Sequence, residues 1–347
     1  GAAVDWGAGT RNVVLTVDAA SILLQRNGEI QVRSINGGPL GGFRNRIING
    51  NFDFWQRGTS QSVGGYGSAD RWTIVPSGAT MGASRQDFAV GQTDVPGNPK
   101  HFIRVSATVG NDHARIEQRI EGVGTLAGQK ATVSFWARGT NPGGGSFYAT
   151  FGQSFGTGGS PSPTLFDIGT TPFVVTSQWQ KFSVTVELPS IAGKTLGTDG
   201  NDYLQVAFSQ GPDTSTAPWT LDLARVSLVE GDATGEADPF EPRPLALELA
   251  LCQRYYEAVP GSGTASCLYR GDSTSGFIYY AVAKFSEEKR RPPAVTLDTA
   301  NAGMLGFDPS TLQTAGISTF GFRVSCQCNQ TASGRQFNTG WFADAEL

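Results

Sequence analysis

Groups able to break bonds are sparse in this sequence. Histidine occurs only at His101 and His113, a poor supply for a catalytic triad or a histidine-rich metal centre. The cysteines, Cys252, Cys267, Cys326 and Cys328, all fall late in the chain. Cys326-x-Cys328 lacks the second pair and the histidines that a zinc site wants, so free, packed thiols are expected, with disulfides or metal as the alternative. Asp53, Asp70 and Glu117, the carboxylates offered for glycosidase chemistry, stand apart from one another and near Arg or Gly, as solvated or salt-bridged groups do. No nucleophile elbow or phosphate loop is present. Gly143–Gly145 and Gly156–Gly159 lack strand–helix context and are expected in loops. No catalytic constellation emerges, and the chain is not expected to be an enzyme.

Recognition chemistry is better supplied. Aromatic faces stack on the apolar side of a sugar ring, while amides, carboxylates and guanidiniums take its hydroxyls; such sites are concave with a few placed polar groups. In Lys130–Arg138 the alternation puts Val133, Phe135 and Ala137 inward and Trp136 and Arg138 outward. In Tyr203–Ser209, Leu204, Val206 and Phe208 face in while Tyr203 and Gln205 face out, and Tyr148 has the parity opposite to Phe147 and Phe151. Trp136, Arg138, Tyr148, Tyr203 and Gln205 are therefore expected to share one glycan-binding face. The alternative is that a covering loop or a neighbouring subunit buries those aromatics. Gly152–Pro163 is expected to be a long specificity loop.

These residues need a scaffold. A length of 347 residues suggests two or three domains. With 39% hydrophobic residues the chain can bury cores, and 46 Gly and 21 Phe against 16% charged residues point to many short strands and turns. A net charge of −4 argues against a nucleic-acid partner, and no apolar run reaches membrane-spanning length, so no membrane insertion is expected. The Gly1 start suggests a trimmed or partial chain with residues missing upstream.

Residues 1–42 carry short β-runs at Val13–Val17, Ile22–Leu24 and Ile30–Val32, with the hairpin signal Asn27–Gly28 between two of them; this N-terminal β segment is either an ordinary subdomain or a shaft or oligomerisation element. Residues 46–242 hold about eight alternating runs separated by Gly, Pro and Ser turns, the pattern of a β-sandwich. Within it, 114–120 (ARIEQRI) reads as a helix or, because Ile116, Gln118 and Ile120 alternate, as a strand. Residues 244–257 predict a helix starting at Pro244, apolar on two flanks: Leu245, Leu249, Cys252 and Tyr256 on one, Leu247, Leu251 and Tyr255 on the other. Residues 258–347 are expected to form a smaller β-sandwich.

Three segments, the 46–242 region, the helix and the C-terminal part, also carry a resemblance. IINGNFDFWQRGT (47–59) followed by ADRW (69–72), then SFWARG (134–139), WQKFSVTV (179–186) and LDLARVSLVEG (221–231), resemble the carbohydrate-binding-module-like jelly-roll domain of bacteriophage tail-fibre, tail-spike and head-spike proteins. LCQRYYE (251–257) and KRRPPAVTL (289–297) resemble the helix that follows it and a strand of the terminal domain, with a departure in spacing at Arg290. The resemblance implies an all-β jelly-roll sandwich, one short helix and a smaller C-terminal β-sandwich, many such proteins being homotrimers. It also implies a structural calcium tying the opening segment to the closing strand. The matching positions are Asn51, Asp53 and Asp222; Leu223 stands where the family has a second Asp, which weakens the match, and turn-capping is the alternative.

The expected function is host-cell attachment from a virion fibre or spike, with the jelly roll binding bacterial surface polysaccharide and other virion proteins as further partners. The alternatives are a structural spacer that binds no glycan and a capsule-degrading enzyme.

Overall fold

The computed structural model describes residues 43–110, 113–210, 216–236, 238–261 and 267–347, together with the backbone of 13–17, 20–24 and 30–31. Strands β1 (Val13–Val17), β2 (Ala20–Leu24) and β3 (Ile30–Gln31) form an antiparallel meander. Asn27–Gly28, Val32 and the linker 36–42 lie outside the described residues.

The next strands are β4 (Ser60–Gln61), β5 (Trp72–Val75), β6 (Thr80–Asp87), β7 (His101–Val109), β8 (Arg115–Glu121), β9 (Lys130–Thr140), β10 (Phe147–Ser154), β11 (Leu165–Phe173), β12 (Gln180–Glu187), β13 (Tyr203–Ser209) and β14 (Trp219–Glu230). They make a sandwich of a five-stranded sheet, β11-β10-β13-β8-β5, and a six-stranded sheet, β12-β9-β14-β7-β6-β4. The stretch 114–120 is thus resolved as strand. The alternation read from β9 and β13 holds: Val133, Phe135, Ala137, Leu204, Val206 and Phe208 all lie in the core between the sheets. Phe135 sits at its centre, with ring centroids of Phe208 at 4.6 Å, Phe173 at 5.0 Å and Phe182 at 5.5 Å. Edge-on and stacked rings at these distances add to the burial of their surface.

The stretch 45–72 stitches this sandwich closed. Phe52 and Trp72 meet in the core with centroids 5.2 Å apart. Asn49, in the left-handed region at φ 55°, donates to the carbonyls of Phe54 and Asp70 and accepts from the Phe54 amide. Gly50 lies against β14: the Val226 amide donates to its carbonyl at 2.9 Å, and a side chain at Gly50 would collide with the Val226 carbonyl.

Helix α1 (Leu245–Gln253) is shorter than its sequence predicts. Pro244 is extended and precedes the first turn, and Tyr256 already belongs to the next strand. The expected burial of both flanks holds only toward their C-terminal ends, where Cys252, Tyr255 and Tyr256 are buried. Leu245 and Leu247 are exposed, whereas Glu248 is buried because it accepts from the Asn49 amide and pairs with Arg243.

Strands β15 (Tyr256–Val259), β16 (Cys267–Ser273), β17 (Ile278–Lys284), β18 (Ala294–Leu305), β19 (Gln313–Ala315), β20 (Gly321–Gln327) and β21 (Ala332–Asp344) build the second, smaller sandwich. β21 pairs with β15, β16 and β18, and the facing sheet is β17-β20-β19. Its core holds Phe307, Phe322, Phe337 and Trp341 with Cys267, Cys326 and Cys328. All four cysteines are free and buried, and burial pushes the Cys267 thiol up to about 11.

The two sandwiches meet along the opening stretch of the first. Arg57 lies 3.6 Å over the Tyr256 ring and Arg71 3.4 Å over the Tyr255 ring. Both guanidiniums pair with Glu346, Arg57 at 3.3 Å. Gln56 donates to the Tyr256 carbonyl at 3.0 Å, and Arg119 to a main-chain oxygen of Leu347 at 2.8 Å.

Candidate functional site

Strand register decides which outward side chains share a face. On the outer side of the five-stranded sheet, one row runs Pro172, Tyr148, Ser209, Arg115, Val75. The next runs Thr150, Ala207, Glu117, Thr73, followed by Gly152, Gln205, Arg119 and by Ser154, Tyr203, Glu121. Tyr148, Tyr203 and Gln205 therefore lie on one face, as expected. Trp136 and Arg138 do not join them. β9 belongs to the other sheet, so its outward side chains project from the opposite side of the sandwich.

The face has a buried polar floor with half-buried side chains standing on it. Its centre is the Glu117 carboxylate, fully buried, which accepts from Arg115 Nε at 2.6 Å, from Arg119 Nε at 2.9 Å and from the Gln205 amide. Gly152 leaves room for that amide; a side chain there would collide with Gln205 Oε1. Tyr203 lies under Arg119, with 5.0 Å from ring centroid to guanidinium. Beyond Ser154 the loop 155–164 is pinned to 195–201, the Thr157 amide bonding to Asn201 Oδ1 at 2.8 Å and its hydroxyl to Asp199 at 2.8 Å. Arg115 Nε, Arg119 Nε and the Gln205 amide are all held by Glu117, so the surface presents fixed polar groups between Tyr148 and Tyr203. Sequence reading weighs Glu117 only as a catalytic carboxylate and misses Arg115 and Arg119, although the signal is present. Once Ile116, Gln118 and Ile120 are taken as one parity of a strand, the charged residues between them are its outer face.

On the far side of the sandwich a covering segment has taken Trp136. It packs with Phe88, Val95, Phe102, Trp179 and Ala224 in a small second core outside the six-stranded sheet. Arg138 sits 4.8 Å from the Trp179 ring centroid and 5.2 Å from that of Phe102. Its Nε donates to Asp222 at 2.9 Å, and Arg104 binds the same carboxylate through two bonds of 2.7 and 2.8 Å.

That triad also corrects the expected metal set. Asp222 is occupied by two guanidiniums on the outer side of β14. Asn51 and Asp53 are bonded to each other at 3.0 Å and border a small cavity with Asn45, Glu241, Arg243 and Glu248. Asn51 Oδ1 is buried there without a partner. Asn51, Asp53 and Asp222 are not brought together, and among the described residues no group of three or more His, Cys, Asp and Glu side chains is placed to hold a metal ion. The three residues do not fit a calcium ion.

No protein-family model matches the chain, and no curated protein does. Among solved structures, it is similar to a carbohydrate-binding module of family 4, with 18% identity over 46% of this chain and 95% of that one and a TM-score of 0.30. It is similar to the N-terminal cellulose-binding domain of Cellulomonas fimi β-1,4-glucanase C, with 17% identity over 51% and 97% of the two chains and a TM-score of 0.30. A third likeness, at 13% identity and a TM-score of 0.32, is to the enzymatically active domain of bacteriophage CBA120 tailspike protein 4, covering 55% of this chain and 22% of that one. At these scores the likenesses carry no weight, and the side chains of this protein must supply the functional reading.

Proposed function

We propose that this chain is an attachment component of a virion fibre or spike and binds a bacterial surface polysaccharide through the outer face of the five-stranded sheet. One observation carries the binding reading: Tyr148, Tyr203, Gln205, Arg115, Arg119 and Glu117 share that face, with the polar groups fixed in place between the two tyrosines. By strand rise the tyrosines stand about 20 Å apart along β10, a span for an oligosaccharide rather than a single sugar. The virion setting rests on the motif resemblance at 47–72, 251–257 and 289–297.

Cleavage is less well supported than binding. Glu117 and Glu121 share the outer parity of β8, but four residues of strand separate them by about 13 Å, beyond the roughly 5–9.5 Å between paired glycosidase carboxylates. Glu117 is moreover consumed by two arginines.

Weak single-site binding would be offset by several tethered copies. Self-association, as in a homotrimer, is supported by β17, which has a strand partner on one side only among the described residues and exposes Ile278, Tyr280 and Val282. A second reading, a spacer without glycan affinity, is favoured by the two arginine–tyrosine stacks that fix one sandwich on the other.

The test is binding of the fluorescently labelled chain to intact bacterial cells, with and without purified surface polysaccharide. Saturable binding that the polysaccharide competes away supports attachment. Full binding by a folded Tyr148→Ala/Tyr203→Ala variant rules out this face, and no binding by the folded parent favours the spacer.

A further inference from the structure

Strand β8 loses its outer neighbour part-way along. The register of the short β5 ends at Trp72 opposite Gln118, so among the described residues Arg119, Ile120 and Glu121 have no strand on that edge. The space left is a cleft of about 210 Å³, walled by Arg46, Ile48, Arg71, Arg119, Glu121 and Tyr255 among others.

Its charge is one-sided. Three guanidiniums line it against the single carboxylate of Glu121, which is already bonded to Arg254 at 3.0 and 3.2 Å and to the Tyr255 hydroxyl at 2.9 Å; Arg71 and Arg119 pair with Glu346 and Glu117, so the uncommitted charge is that of Arg46. Arg46 is exposed, with no partner for its side chain among the described residues. Arg71 is 1% exposed; its terminal nitrogens reach Glu346 and the Arg119 carbonyl, while its Nε is buried with no acceptor. A buried donor without an acceptor is uncommon in a folded protein and calls for an explanation. The backbone at Arg71 is held at φ 71°, a region that side chains of this size avoid and that concentrates at ligand-binding positions.

We propose that this cleft binds a single carboxylate-bearing sugar unit, of the uronic-acid type, belonging to the polysaccharide on the neighbouring face; the proposal rests on the glycan-binding reading above. Arginine matches a planar carboxylate with paired hydrogen bonds. The volume lies below the roughly 300–1,000 Å³ of pockets for larger ligands, which suits one sugar ring. Arg119 and Glu121 belong to both the cleft and the open face, so a glycan lying over Tyr203 runs directly into the cleft. Thr125 and the apolar sides of Ile48 and Ile120 complete the wall around the ring.

Titration calorimetry of the full chain with methyl glucuronide, methyl glucoside and inorganic phosphate tests this. The glucuronide is expected to bind at least tenfold more tightly than the neutral glucoside, and more weakly as salt is added. Arg46→Ala, which removes an exposed side chain with no partner, is expected to weaken the glucuronide at least threefold, and Arg46→Glu to abolish its binding. Equal affinity for glucuronide and glucoside, no binding of either, or an unchanged Arg46→Ala variant would overturn the proposal. Phosphate binding as tight as the glucuronide would overturn the sugar assignment in favour of a general anion site. If cells are bound and neutral polysaccharides compete as well as acidic ones, the attachment reading stands and this inference falls.

Discussion

The Arg71 guanidinium lies 3.4 Å over the Tyr255 ring and pairs with Glu346, so a residue of the opening stretch of the first sandwich is clamped between the residue before β15 and one just past β21. Arg57 repeats the arrangement on Tyr256, with Asp344 at 3.2 Å and Glu346 at 3.3 Å. Two guanidiniums spread on two consecutive tyrosines combine stacking with charge pairing in a dry joint. Breaking a buried pair strands the remaining charge, so Arg71→Leu should cost about 3 kcal/mol, the low end of the usual range because Arg57 still reaches Glu346. Thermal unfolding measures it. Arg71→Leu/Glu346→Leu should recover most of the loss, and a single variant that melts like the parent would show that the clamp does not hold the sandwiches together.

Removing the two tyrosines of the candidate face separates binding from folding. Tyr148 and Tyr203 stand outside the core between the sheets, so Tyr148→Ala/Tyr203→Ala should change stability by no more than about 1 kcal/mol. Polysaccharide binding should drop at least tenfold. Tyr203 also supports Arg119, so most of the effect should come from Tyr203→Ala alone. Equal binding by the double variant and the parent would move the site elsewhere.

The alternation in β9 and β13 was legible because period two is a local property: Phe135 and Phe208 are in the core where the pattern put them. The same pattern could not say that Trp136 and Tyr203 face away from each other. Alternation separates inner from outer within one sheet, and a sandwich has two outer faces. Only the pairing of β9 with β12 and β14, and of β13 with β8 and β10, decides between them. Asp222 was illegible for a related reason. Its partners Arg138 and Arg104 lie 84 and 118 residues away, and charge pairing leaves no local trace in sequence. The helix failed differently: Leu245 and Leu247 begin two apolar flanks, but no neighbour among the described residues covers them, whereas Glu248 finds Arg243 and the Asn49 amide.

Asp222 offers a direct contrast between an ion triad and a metal ligand. Its carboxylate is nearly inaccessible and takes three bonds of 2.7–2.9 Å from Arg104 and Arg138. Asp222→Asn should destabilise the chain by about 2–3 kcal/mol, as loss of charge-assisted bonds does. The melting temperature of the parent should be the same in EDTA and in excess calcium. A fall in EDTA would return calcium to the molecule.

Tyr280 and Val282 bear on assembly. They stand exposed beside Ile278 on a strand with one open edge among the described residues, and two or more copies could bury both the side chains and the unpaired backbone. Tyr280→Glu/Val282→Glu should convert an oligomer to a monomer in light-scattering measurements without lowering the melting temperature of the monomer. If the mass is unchanged, self-association does not use this strand.

Glu121 makes the joint sensitive to acid. Burial pushes its carboxyl up, but the bonds from Arg254 and Tyr255 and the charges of Arg254 and Arg290 outweigh burial, so the group is held below its ordinary value of 4.5. With the folded value below the unfolded one, the carboxylate contributes stability that is fully present above pH 4.5 and is lost as pH falls through the folded value. Asp70, close by, has the opposite sign: burial raises it above 3.8 against the bonds from Gln56 and the charges of Arg57 and Arg71, so its protonation on acidification favours the fold. Glu121→Gln isolates the first effect. At neutral pH the variant should melt below the parent, and the gap between them should narrow as the pH is lowered below 4.5, where the parent too becomes uncharged at this position. A gap that stays constant from neutral to acid pH would mean that the charge on Glu121 is not what holds Arg254 and Tyr255.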